Sequence, residues 1–209
     1  GSMGPGRVEE MLSIYDEQLA HLGLAVANAR ASLVEDLQPE VSAAFSAITH
    51  SERRASAQYV SKTAGASVDA IMGHHKAGRM KDLATSSTQF GPHRDDLAFT
   101  LDGHDAGSFA SQGQLRAIML AWKTAELEVL ARVHGDQPIL LLDDVSSELD
   151  PARNAYLFEH LASKAGQCFI TTTHESHVLL TRERGPLRPL ELPLGAVLGH
   201  RGVAAGGVQ

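Results

Sequence analysis

Apolar residues recur along the first third of the chain at Leu12, Tyr15, Leu19, Leu22, Val26, Ala29 and Leu33, stepping alternately by 3 and 4. That is an a/d seam. It predicts a long helix lying on a partner helix. Gly23 weakens it by ~1 kcal/mol relative to Ala. Pro39 predicts a break, because proline lacks the N–H that a helix interior needs. Val41, Ala44, Phe45 and Ile48 then outline a second helix, and Val68, Ile71, Met72 and His75 place a third after Ser67. Residues 7–88 thus read as an all-helical arm.

The period changes after Thr88. Leu97–Leu101 is strand-like and runs into Asp102-Gly103, a turn dipeptide. Leu115, Ile118, Met119, Trp122, Ala125, Val129 and Val133 predict one helix from about Gln112 to His134, opened by Ser111 and Gln114 as a capping box. Pro138 introduces Ile139-Leu140-Leu141-Leu142, read as a strand buried on both faces that delivers Asp143 and Asp144 to its C-terminal edge. Asp150-Pro151 is a cap and first-turn pair for a further helix. Gln167–Thr173 is another apolar strand, ending at His174. Strand, helix, strand in this order predicts a parallel α/β unit. Beyond Pro186 the chain reads as a C-terminal tail, residues 186–209, with its last residues frayed. Residues 1–6 read as a tag remnant.

Composition narrows the class. The 209 residues are 43% hydrophobic and 21% charged, as in soluble globular proteins. No apolar run approaches a membrane span, so no membrane partner is expected. The one cysteine, Cys168, sits in an apolar run, permits no internal disulfide, and fits a reducing cytoplasm. A net charge of -7 argues against indiscriminate nucleic-acid binding. Arg53, Arg54, Lys62, Lys76, Arg79 and Lys81 nevertheless face only Asp69 in their stretch. They form either a solvated helical surface or a candidate DNA-contacting patch.

Three segments carry candidate chemistry. One carboxylate at the end of a rigid strand can hold Mg²⁺ through water, which suits Asp143. The next, Asp144, can polarise an attacking water. Ser111-Gln112-Gly113-Gln114 opens a helix, where a hydroxyl and close backbone approach at Gly113 suit phosphate oxygens. His174, at the end of the following strand, can reach the same crevice. A phosphate-cradling loop of the form G-x-x-x-x-G-K-[ST] is absent from the sequence, so tight ATP binding by this chain alone is not expected.

Ser111–Gln114, the Asp143-Asp144 strand, Ser146-Ser147-Glu148-Leu149-Asp150 and His174 resemble, in order, the C-terminal half of an ABC-type ATPase head. Phe90-Gly91-Pro92-His93-Arg94-Asp95-Asp96-Leu97 is narrower and is similar to the RecF recombination-mediator family, as is Tyr15–Ala20. The resemblance spans roughly Arg7 to Leu180. It implies an α/β head portion over residues 89–185, without the half that carries the phosphate loop.

It also implies two subunits sandwiching two ATP molecules. Ser111, Gln112, Gly113 and Gln114 would contact the γ-phosphate held by the other subunit. Asp143 would serve Mg²⁺, Asp144 the hydrolytic water, Ser147 and Asp150 the dimer-facing loop, and His174 the switch position. The implied whole is a DNA repair and recombination ATPase that dimerises on ATP. It would bind single-strand/double-strand DNA junctions and load recombinase at gaps with RecO and RecR. Arg94 is open: it could pair with Asp95 or Asp96, or relay nucleotide state to the arm. An SMC-like repair ATPase head and a non-enzymatic interaction module are the rival readings.

Overall fold

The computed structural model describes residues 5–143, 156, 166–172, 187–192 and 195–201. Contacts divide the chain into two compact units, one of residues 1–36 and 57–100, the other of residues 37–56 and 101–209.

Helix α1 runs from Pro5–Thr49. It passes through Pro39 without ending there, contrary to the expected break. Pro39 itself is exposed, while Leu37, Val41, Ala44, Phe45 and Ile48 around it are buried in the second unit. Burial of that stripe offsets the roughly 3 kcal/mol that an interior proline costs. The seam also needs correction. The buried residues of the first stretch are Ala20, Gly23, Ala27 and Val34, whereas Tyr15, Leu19, Leu22, Val26 and Leu33 are exposed. The spacing was right and the packed face lies elsewhere on the helix.

Strand β1, Ala55–Val60, interrupts what was expected to be an all-helical arm. Helix α2, Val68–Thr85, starts as the pattern predicts: the Ser67 hydroxyl accepts the Ala70 N–H, and Ile71 and His75 are buried. A 3-10 turn at Pro92–Arg94 leads into β2, Asp96–Leu101. Asp102 and Gly103 both take positive φ, 53° and 80°, and turn the chain into β3, His104–Asp105. These strands form a sheet in the order β1-β2-β3. A short helix α3, Ala106–Phe109, precedes α4, Gln112–His134, which matches its expected bounds. Gly135 at φ 68° closes α4 in the left-handed region that glycine tolerates.

The second sheet is ordered β4-β5-β7-β6, from β4, Ile139–Asp143, β5, Gln167–Thr172, β6, Leu187–Leu192, and β7, Gly195–Arg201. β4 and β5 pair in parallel, with Ile139 opposite Gln167 and Asp143 opposite Thr171. This is the expected parallel unit. Two features differ. The expected tail contributes β6 and β7; β7 runs antiparallel to both β5 and β6. And β4 is not buried on both faces: Leu142 is buried, but Ile139 and Leu141 are 63% and 73% exposed. Leu140 and Leu142 lie on the covered face and Ile139 and Leu141 on the other, so among the described residues one face of β4 has no covering layer.

Cys168 is buried in β5, and burial pushes its thiol up to about 11. It is a core residue, as its surroundings in the sequence implied.

Candidate functional site: the opening turn of α4 and the end of β4

Local chemistry fixes the start of α4. Ser111 Oγ accepts the Gln114 N–H at 3.3 Å, and Gln114 Oε1 accepts the Ser111 N–H at 2.8 Å. The Leu115 N–H bonds the Ser111 carbonyl at 2.9 Å. These bonds use Ser111 as an acceptor through both oxygens. Its hydroxyl proton stays available to donate. The Gln112 and Gly113 N–H groups belong to the first turn, where no intrahelical acceptor exists. Ser111 and Gln112 are exposed and Gly113 is half-buried. One hydroxyl and two amides at a positive helix end can meet an anion.

A second cluster braces the segment just before this turn. The Arg53 guanidinium bonds Asp102 at 2.7 Å and lies 5.2 Å from the centre of the Phe109 ring. The Arg54 N–H bonds the other Asp102 oxygen at 2.8 Å. Together the Arg54 N–H and the Arg53 guanidinium hold the Asp102 carboxyl below the usual carboxylate range. Phe109 in turn packs against His104, with ring centres 4.7 Å apart.

Asp143 ends β4 and is exposed. Thr171 Oγ1, across the parallel pair, donates to Asp143 Oδ1. One carboxylate oxygen is thereby oriented at an exposed strand end, a placement that suits water-mediated Mg²⁺ binding. Asp144, Ser147, Asp150 and His174 lie outside the described residues.

The Phe90–Leu97 run is a clasp inside the first unit. Phe90 stacks on His74 at 4.4 Å and meets His75 edge-on at 5.7 Å. Gly91 has φ 135°, a conformation that side-chain-bearing residues avoid. Pro92 presses on Gly23 of α1, where an added Cβ would stand 3.3 Å from the proline ring, and its carbonyl accepts from Arg30 at 2.7 Å. Asp95 accepts from Tyr59 at 2.5 Å and Ser61 at 2.8 Å. Burial, then the bond to Asp95, pushes the Tyr59 phenol up. Arg94 forms an ion pair with neither Asp95 nor Asp96. It reaches the Thr88 carbonyl and the Ser87 hydroxyl, each at 3.4 Å. Beside this clasp is a cleft of 370 Å³ that includes Arg30 and the buried Thr63, whose hydroxyl has no hydrogen-bond partner. The sequence offered no signal for that cleft, since its walls come from α1, α2 and the turn together.

His75 carries a pH dependence. Burial pushes its pKa down, against Asp16 and Asp82, which raise it, while His74 and His93 lower it further. The unfolded chain therefore binds the extra proton first as pH falls below about 6.5. Stability contributed by neutral His75 is present above that value and is lost as pH falls through the folded value. Thermal melts should show a drop in Tm between about pH 7.5 and pH 5 that shrinks in His75→Leu. An unchanged pH slope in that variant would remove His75 as the cause.

The six basic candidates do not act alike. Arg79 is 14% exposed and ion-paired with both Glu9 and Asp16. Arg53 is committed to Asp102 and Phe109. Arg54, Lys62, Lys76 and Lys81 are exposed. Arg53 and Arg54 belong to the second unit, the other four to the first.

No family model matches the chain. It is 40% identical over 176 residues to the DNA replication and repair protein RecF of Myxococcus xanthus, covering 80% of this chain and 46% of that protein. Against RecF of Moorella thermoacetica it is 42% identical over 170 residues, covering 81% and 45%. The matched residues are RecF-family sequence. The chain spans about half the length of the RecF relatives it matches. A solved structure described as the recombination mediator protein RecF-ATPrS in the RecFOR pathway aligns with a TM-score of 0.67 and 33% identity, over 83% of this chain and 47% of that one. A second, RecF-ATP, aligns with a TM-score of 0.63 and 29% identity, over 77% and 48%. The fold is therefore that of a RecF ABC-type ATPase portion with an N-terminal helical arm. Among the described residues no helix is long and apolar enough to cross a membrane.

Proposed function

We propose that this chain supplies the signature and the acidic strand of a RecF-type DNA repair ATPase. The observation that carries the reading is the opening turn of α4. There Ser111, Gln112 and Gly113 present one hydroxyl and two amide donors. In this reading they meet, with Gln114 bracing Ser111, the γ-phosphate of an ATP held by a second subunit. Asp143 orients Mg²⁺ through water. Asp144 accepts the proton of the attacking water, and His174 stabilises the transferred phosphoryl group. Ser147 and Asp150 line the subunit boundary. Dimerisation thus depends on ATP, because the nucleotide joins the two halves of each site.

In the first unit DNA contact falls to Lys62, Lys76 and Lys81, with Arg79 holding structure; in the second, Arg54 is exposed and Arg53 holds structure. The substrate is a single-strand/double-strand junction, and RecO and RecR are the partners in recombinase loading. The RecFOR pathway named for the similar structures supports that assignment. The site of action is the cytoplasm. Arg94, bonded to the turn before the clasp, supports a structural role over a relay.

Calorimetry tests the division of labour. The chain alone should show no tight binding of Mg·ATP, and micromolar affinity would overturn the reading. Joined to a half that carries a phosphate loop, it should dimerise on ATP, and Ser111→Arg should abolish that dimer. A dimer that survives the substitution would show that α4 does not meet the nucleotide.

A further inference from the structure

From Asp102 to Arg116 only Ala106 is buried, so apolar packing does little to fix the stretch that leads into the opening turn of α4. Segments with so few buried contacts open first unless polar bonds hold them. Here such bonds run the length of the stretch. Asp102 takes the Arg53 guanidinium on one carboxylate oxygen and the Arg54 N–H on the other, and its own N–H bonds the Arg54 carbonyl at 2.9 Å. Asp105 caps α3 by accepting the Ser108 N–H at 2.9 Å and the Ser108 hydroxyl at 2.8 Å. The Ala110 N–H bonds the Ala106 carbonyl at 3.0 Å. Arg53 also lies over the ring of Phe109, which is 47% exposed and precedes Ser111 by two residues. The brace is anchored in the core at both ends: Arg53 stands just before buried Ala55, and Asp102 directly follows buried Leu101. All of these residues belong to one compact unit.

We propose that Asp102 and Arg53 are positioning residues that hold the Ser111–Gly113 turn, through Phe109, in the arrangement that receives a phosphate. The role rests on the reading that this turn meets the γ-phosphate of an ATP held by a second subunit. Arg53 suits it because a planar guanidinium can pair with a carboxylate and stack on an aromatic ring, which an ammonium group cannot do. Without the pair, the exposed turn samples arrangements that miss the phosphate. The apparent affinity for ATP then falls in proportion to the time spent in them, and saturating ATP recovers the dimer.

Asp102→Asn, in a chain joined to a half that carries a phosphate loop, isolates the charge. Asparagine keeps the size, tolerates the positive φ of this turn and can still accept the Arg54 N–H. The ATP concentration for half-maximal dimerisation, read by light scattering, should rise about tenfold, as expected if the competent arrangement falls to roughly a tenth of the population. Single-turnover hydrolysis at saturating ATP should stay within about twofold of the parent. Arg53→Gln should behave alike, and the double variant should be no worse than either single one, because the pair acts as a unit. A lower dimer yield at saturating ATP with no shift in the midpoint is what loss of folding alone produces, and it would overturn the proposal; so would additive effects in the double variant. Ser111→Arg separates the two failures. A dimer that survives it sinks the phosphate reading itself. A dimer abolished by it, with the midpoint unmoved in Asp102→Asn, sinks the positioning role alone.

Discussion

Asp144→Asn, made in a chain that also carries a phosphate loop, should lower ATP hydrolysis by about 10²–10⁴-fold and leave ATP-dependent dimerisation intact. Asparagine matches aspartate in size and still accepts a hydrogen bond, so packing and nucleotide contacts persist. It cannot take the proton of the attacking water, and that loss falls on the chemical step. The neighbouring carboxylate does not substitute, because Asp143 is held by Thr171 across the parallel pair. Single-turnover hydrolysis alongside light scattering separates the two effects. If dimerisation disappears with hydrolysis, Asp144 positions the nucleotide and is not its base.

Phe45→Ala should be the most damaging single change to stability. Phe45 is fully buried in the second unit, on the part of α1 that continues past Pro39. Glu40, four residues after Asp36, is within 3.5 Å of Arg132 on α4, so this stretch lies along that helix. Removing a buried phenyl ring costs about 3–5 kcal/mol, against a typical total of about 5–15 kcal/mol. The single tryptophan, Trp122, lies on α4 in the same unit and bonds Glu126 at 2.5 Å. Its fluorescence reports this unit directly. The urea midpoint should fall by roughly 1–3 M for an ordinary slope. A shift below about 0.5 M would show that neighbours collapse into the space and that Phe45 is not the anchor.

What was legible in the sequence follows the range of the interactions involved. The capping box at Ser111, the bounds of α4, the Ser67 cap and the Asp102-Gly103 turn are set within a few residues, and local pattern found them. The parallel pairing of β4 and β5 followed from element order. The errors came where tertiary context decides. A 3-4 repeat gives the pitch of an apolar stripe but not which face is covered, so Leu22 was taken as packed when Gly23 and Ala27 are. Pro39 stayed helical because flanking residues are buried. β1 was missed because its inward residues are Ala55 and Ala57, too small to read as an apolar alternation. β6 carries Pro189, which its edge position tolerates, and β7 begins at Gly195, so both give poor strand signals. The four-residue apolar run of β4 could not reveal that Ile139 and Leu141 face outward. In the candidate site, the helix-opening donors and the strand-end acid were legible. The brace from Arg53 through Asp102 to Phe109 was not, because it joins distant segments.

The contact between Gly23 and Pro92 carries an evolutionary consequence. A Cβ at position 23 would stand 3.3 Å from the proline ring, which must give by a few tenths of an ångström to admit it, so the two positions are coupled. Among relatives, the two positions should change as a couple: a bulkier residue on the helix appears where the ring has been lost, and lineages that keep the ring keep the glycine. The glycine that weakens α1 thus leaves room for a loop far along the chain, and the two sites are expected to be inherited together.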